Sequence, residues 1–226
     1  VVVGVFASHA LAPSAKLLDK ASDGAITAAV KAGDIAGKIG DTLLLRGLPG
    51  IKAERVLLVG CGKAGELNEG AYQRIVAAAA AAVGKLHASE AALYLTELAV
   101  TGHDEAWRVR SAVAAADHAL YRFTEYKHEP GRRHLKTLAI GCGGKQAKAL
   151  DAALRQGQAI AAGVKLTRDL GNQPANVCTP TYLADQAQAL AKAHELDIEV
   201  LDEPQMRELG MGALLAVARG SRQPPK

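Results

Sequence analysis

Five short aliphatic runs punctuate the first 140 residues of this chain, at 1–7, 42–45, 55–59, 92–95 and 137–140. Each is bounded by Gly, Asp or Lys, which is how strands buried on both faces of an α/β sheet read in sequence. Helical patterns separate them. Residues 67–86 carry Ala, Val and Ile at three- and four-residue spacing. Residues 104–123 open on Asp104 and Glu105, where carboxylates favour the helix dipole. This alternation predicts a mostly parallel sheet with helices on both faces, a three-layer α/β unit.

The pattern then changes. Residues 147–170 form one long amphipathic stretch, with Leu150, Leu154, Ile160, Val164 and Leu166 at roughly helical spacing. Gly171-Asn172 is a helix stop, and Pro174 imposes extended backbone on Gln173. Thr179 can cap a new helix with its hydroxyl, and Pro180 suits the first helical position. A helix over 182–194, a strand over 198–201, a short helix over 204–209 and a strand over 213–218 are predicted to follow. With a junction near Gly171, the chain divides into an N-terminal domain (1–146), a linking helix (147–171) and the beginning of a second α/β domain (172–226). The last two strands would expose unpaired edges, so residues after Gly171 are expected to pack on another copy or to fray.

Composition excludes some classes. No apolar run reaches the roughly 18 residues of a membrane helix. The longest, 76–83, is mostly alanine and reads as part of a buried helix. The opening residues are too short for a signal segment and lack its basic flank, so no membrane partner is expected. The absence of an initiator Met suggests a fragment or trimmed chain. Cys61, Cys142 and Cys178 have no metal-type spacing and cannot all pair, which fits a reducing cytoplasm. A net charge of +4 permits an anionic partner without requiring one.

Two stretches invite a chemical reading. Gly60-Cys-Gly-Lys-Ala-Gly65 follows a strand and precedes a helix, as a dinucleotide fingerprint does. The acid that would take the ribose, Glu97, lies too far downstream, and Glu66 and Glu69 would repel a pyrophosphate. A tight structural turn is the stronger reading. A weak echo links 55–63 with 136–144, and predicts two parallel strands of one sheet, each followed by a glycine turn. The other stretch, residues 121–136, is the most basic and aromatic of the chain, and such interleaving can grip phosphates. Arg122, Lys127, Arg132, Arg133 and Lys136 are its candidate nucleic-acid contacts. The competing reading is a solvated loop in which Tyr121 and Phe123 pack a helix end. The seven histidines show no metal spacing, and the three cysteines read as small buried fillers. Asp202 with Gln205 reads as a capping box. No nucleophile–base pair and no paired carboxylates stand out.

The segment Thr167-Arg-Asp-Leu-Gly-Asn-Gln-Pro-Ala-Asn-Val-Cys-Thr-Pro180 resembles the opening of the catalytic domain of the leucyl (cytosol) aminopeptidase family of two-metal exopeptidases. Gly210-Met-Gly-Ala-Leu-Leu-Ala-Val-Ala-Arg-Gly-Ser221, followed by Pro224-Pro225, resembles the family's next segment. Gly40-Asp-Thr-Leu-Leu-Leu45, Arg55-Val-Leu-Leu-Val-Gly-Cys-Gly62 and Tyr121-Arg-Phe123 are similar, more loosely, to its N-terminal domain.

The resemblance implies a macro-domain-like N-terminal domain, a linking helix and a peptidase domain, assembled as a cytoplasmic homo-hexamer. It implies removal of N-terminal residues, leucine preferred, from peptides by two divalent ions: manganese, zinc or magnesium. The family's Lys, Asp and Glu ligands fall beyond these residues. No catalytic or metal-binding residue is therefore assigned here, Lys226 included. The chain alone is expected to bind no metal and to be inactive. Some bacterial relatives also bind DNA, which gives the basic stretch its alternative role. A nucleotide-binding role through the macro-like fold is a third expectation.

Overall fold

The computed structural model describes residues 1–129, 131, 134–142 and 147–226. Two compact units emerge, Val1–Lys165 and Leu166–Lys226.

The first unit is built on a five-stranded sheet. Its strands are β1 (Val2–Val5), β2 (Thr42–Arg46), β3 (Arg55–Gly60), β4 (Glu90–Leu93) and β5 (Thr137–Ile140), in the order β2-β3-β1-β4-β5. All pairings are parallel except β2 on β3, which is antiparallel from Thr42↔Val59 to Arg46↔Arg55. The echoed strands, β3 and β5, therefore run parallel in one sheet, as expected. β4 ends two residues before the expected 95. Tyr94 leaves the extended region (φ −101, ψ 22), and a 3₁₀ turn over Leu95–Glu97 follows. The apolar run continues through this turn and is buried on both sides of the break, so hydrophobicity could not mark the strand's end.

Successive residues of a strand point to opposite faces, so the central strands feed two cores. Val2, Leu57 and Val59 pack with Tyr72, Ile75 and Val76 of α3 (Glu69–Gly84) and with Ala112 and Ala116 of α4 (Glu105–Leu120). Val3, Val5, Val56 and Leu58 pack with Ala15 of α1 (Pro13–Ala21) and with Ile26 and Val30 of α2 (Ala25–Ala32). The result is three layers, as the alternation predicts. Helices α1 and α2 occupy an interval the periodicity leaves unassigned. They are nine and eight residues long, and α2 is closed at both ends by left-handed glycines, Gly24 and Gly33. So short a helix leaves little periodic signal.

Side-chain caps fix the longer helices. Asn68 Oδ1 accepts the Ala71 N–H at the start of α3, and Asp104 Oδ1 accepts the Trp107 N–H at the start of α4. Helix α5 (Ala147–Asn172) packs on α4 through a glycine. A Cβ at Gly157 would sit 2.8 Å from Val113 Cβ and 2.9 Å from the Arg110 carbonyl oxygen. Helix α5 ends at Asn172, at the expected Gly171-Asn172 stop, and Pro174 disfavours continuation.

The second unit, among the described residues, is helical: α6 (Pro180–His194), α7 (Glu203–Glu208) and α8 (Gly212–Ala218). Thr179 Oγ1 accepts the Tyr182 N–H, and Pro180 occupies the first turn of α6, as predicted. Gln205 Oε1 accepts the Asp202 N–H at 2.8 Å, completing one arm of the expected box. The two strands expected here are corrected. Residues 198–201 form no strand pairing among the described residues, and 213–218 lie in α8. A strand without neighbours leaves its backbone groups unpaired, whereas Gly-Ala-Leu-Leu-Ala-Val-Ala satisfies them within its own helix.

Burial also tunes the core's ionisable groups. Cys61 is fully buried, and burial, with the charge of Glu97 adding to it, pushes its thiol from 9.0 up to about 12. Burial likewise raises the Tyr72 phenol, against the opposing charge of Arg108.

Two outcomes follow from this packing. Gly157→Ala should destabilise the unit by about 1–3 kcal/mol through overpacking against α4. Gly163→Ala, on the same helix with open space beside it, should stabilise by up to about 1 kcal/mol. Urea unfolding of the two variants measures the contrast. Cys61 ionises near its ordinary value in the unfolded chain and only near pH 12 in the folded one. Its contribution is thus fully present below about pH 9 and lost as pH rises towards 12. Thermal midpoints should fall over that window, and fall less steeply in Cys61→Ala.

Candidate functional site

β3 delivers Gly60-Cys-Gly62 to the C-terminal edge of the sheet, where open α/β sheets hold their ligands. A pyrophosphate there would need free backbone N–H groups. They are already engaged. Gly60 N–H donates to Asp41 O, Cys61 N–H to Val5 O and Gly62 N–H to Gly37 O, each at 2.8 Å. The Gly62 carbonyl in turn accepts the Ala7 N–H. A side chain at Gly60 would collide with the Lys38 carbonyl, which explains the glycine without a ligand.

The acids around this loop are also committed. Glu97 accepts the Ser14 N–H at 3.0 Å and the Ser14 hydroxyl at 2.7 Å, holding the first turn of α1. Glu69 meets His103 Nε2 at 2.7 Å, and Glu66 meets Lys63 at 3.7 Å. The loop is built as a tight turn that locks the exits of β1 and β3 together.

The basic stretch begins where α4 ends. Its first part is a largely exposed loop in which Phe123 and Tyr126 pair their rings at 5.8 Å, and Tyr126 remains 55% exposed. Arg122 donates to the Gly131 carbonyl at 3.5 Å. Lys127 lies in the turn closed onto Thr124 O, and Lys136 leads into β5 with its N–H on Ser89 O. Both lysine side chains are exposed and without a partner among the described residues. Arg132 and Arg133 lie outside the described residues. Leu135 is buried and anchors the lead-in to β5.

In the second unit, the family-like segment makes a compact turn. Val177 and Cys178 N–H groups both donate to Pro174 O at 2.9 Å, and Thr179 N–H donates to Val177 O. Lys226 forms an ion pair with Asp202. Among the described residues, no three His, Cys, Asp or Glu side chains come together in a way that could hold a metal ion. The cysteines are all free, but only Cys61 is a buried filler. Cys142 is exposed, just past the end of β5, and Cys178 is half-buried in the turn before α6. The common reading of all three as buried is corrected on that point.

One feature escapes sequence reading. A cleft of about 570 Å³ opens between α3, α4 and α5. Its walls come from residues nearly a hundred positions apart, so no local motif announces it.

This architecture has known counterparts. Residues 2–130 match the model of the cytosol aminopeptidase family, N-terminal domain, and residues 165–226 match that of its catalytic domain. A probable cytosol aminopeptidase of Alkalilimnicola ehrlichii is 52% identical over 229 residues, covering 100% of this chain and 46% of the relative. The cytosol aminopeptidase of Pseudomonas aeruginosa is 47% identical over 227 residues, with the same two coverages. The chain thus spans about half the length of the curated relatives it matches. Among solved structures, a mutant tomato leucine aminopeptidase superposes with a TM-score of 0.75 at 27% identity, over 99% of this chain and 46% of that one. The bottromycin maturation enzyme BotP in complex with Mn gives 0.76 at 28% identity, over 99% and 42%. With both family models in sequence order, and a three-layer fold that agrees, the chain belongs to the cytosol aminopeptidase family.

Proposed function

We propose that these residues are the N-terminal α/β domain (1–146), linking helix (147–171) and opening of the peptidase domain (172–226) of a leucyl aminopeptidase. That protein would remove N-terminal residues, leucine preferred, from peptides. One observation carries the reading: end-to-end identity of 52% with a probable cytosol aminopeptidase, across both consecutive family models.

Within this reading the 226 residues are framework. Two divalent ions are implied for the whole protein, and manganese is favoured by the Mn-bound relative. The residues described here do not fit that role, since no cluster of three potential ligands exists among them. Lys226 is paired with Asp202. A cytoplasmic hexamer is the proposed setting, and three free cysteines suit a reducing compartment.

Release of p-nitroaniline from leucine p-nitroanilide in the presence of manganese tests both parts. The whole protein should turn over the substrate and the 226-residue chain should not. An inert whole protein would overturn the peptidase reading. Turnover by the 226 residues would overturn the framework assignment.

A second role is supported by the loop after α4, where Tyr126 and Lys127 are exposed, as is Lys136 in the lead-in to β5. Exposed cations beside an exposed ring suit a nucleic-acid backbone. Duplex DNA should shift in a gel at low salt and be released steeply as salt rises, with weaker binding by Lys127→Ala/Lys136→Ala. No shift at low salt, or an unchanged one in the double variant, removes this role.

A further inference from the structure

The strands of the sheet start at different levels. Val2 of β1 lies opposite Leu57 of β3 and Leu93 of β4. β3 begins two residues before Leu57, at Arg55, and β4 begins three residues before Leu93, at Glu90. β1 has one residue, Val1, before Val2, so beside β4 it starts two places higher in the sheet. Burial shows the consequence. β4 is an interior strand, yet Glu90 is exposed, Ala91 and Ala92 are half-buried, and only Leu93, level with Val2, is fully buried. A cavity of about 500 Å³ opens at this level between the starts of β3 and β4. Leu44, Leu57, Val83 and Leu86 give it an apolar wall.

Backbone groups face this cavity as well. Tyr94 N–H donates to Val2 O, whereas Gly141 N–H donates to Leu93 O. In a parallel ladder the even positions of β4 therefore turn towards β1 and the odd ones towards β5. Ala92 N–H and the Glu90 carbonyl point into the cavity, at a level no residue of β1 reaches. Val1 stands at its mouth. The Val1 amino group donates to Arg55 O at 2.9 Å, and Leu57 N–H donates to Val1 O at 2.8 Å, which are ladder bonds. Burial between the strands lowers the pKa of this ammonium below its ordinary value. An amide N–H in the same place would keep the bond to Arg55 O with no charge to desolvate.

We propose that this cavity is the docking groove for residues that precede Val1 in the whole protein, which continue β1 by two places between β3 and β4. Continuity with β1 fixes both the occupant and its direction. The segment runs parallel to β3 and β4, because it extends the ladder that Val1 and Val2 already share with them. The residue next to Val1 is level with Arg55 and Ala91, and its side chain is on the same face as Val2 and Leu57. The apolar wall selects an apolar side chain there. Its carbonyl accepts the Ala92 N–H, and its own N–H donates to Glu90 O. The residue before it turns its carbonyl to the Arg55 N–H. These bonds satisfy backbone groups that folded proteins seldom leave unpaired away from water.

Three forms of the chain test this: one beginning at Val1, one preceded by Thr-Val and one preceded by Pro-Pro. Proline has no N–H to give to the ladder. Site-resolved amide exchange should slow by about tenfold or more at Ala92 and Arg55 in the Thr-Val form alone. The thermal midpoint of that form should rise by about 2–4 °C, and that of the Pro-Pro form should not. Neither turnover nor nucleic-acid binding enters the measurement, so those readings stand or fall separately. Equal exchange at Ala92 in all three forms, or a gain shared by the Pro-Pro form, would overturn the proposal. So would protection of Ala92 in a dimer of the form beginning at Val1, which would give the groove to a second copy.

Discussion

The parallel pairing of β1 with β3 is the contact on which the first unit depends. Val2↔Leu57 through Val5↔Gly60 brings together two strands whose side chains are buried on both faces. A strand with two apolar faces cannot stop at one helical layer, so α1 and α2 must close one side and α3 and α4 the other. Parallel order also requires crossovers, and it places the exits of β1 and β3 side by side. There Gly62 bonds to both Ala7 and Gly37, and Gly60 bonds to Gly40 and Asp41. The glycine loop is therefore a product of the pairing. Its donors are consumed in joining the strands, which leaves the edge unsuited to a pyrophosphate despite its fingerprint spacing.

Much of this was legible in the residues. Aliphatic runs bounded by polar or glycine residues gave all five strands, and Asp104, Thr179 and Pro180 marked helix starts through the backbone donors they satisfy. What escaped has physical reasons. The end of β4 lies inside an apolar run where the change is one of backbone angle and not of burial. Helices α1 and α2 are too short for a period to show. Residues 213–218 read equally as a buried strand or a helix, and only the lack of a sheet neighbour decides for α8. The cleft beside Trp107 needs Gly157 to bring α5 onto α4, a relation no spacing rule contains.

Function divides along the same line. The segment most specific to the family in sequence, Thr167–Pro180, consists of a helix end, a proline turn and a helix cap. Those are structural roles, and they mark a family without performing its chemistry. The carboxylates that attracted interest have structural partners: Glu97 holds Ser14, Glu69 holds His103 and Asp202 meets Lys226. The features that no structural role absorbs are the exposed loop after α4 and the three-helix cleft.

The central proposal is that these 226 residues form the framework of a metallopeptidase and not its metal centre. Calorimetric titration of the chain with manganese, followed by metal analysis after gel filtration, tests this most directly. The account predicts no stoichiometric uptake. Retention of two equivalents of manganese by the folded chain would contradict it.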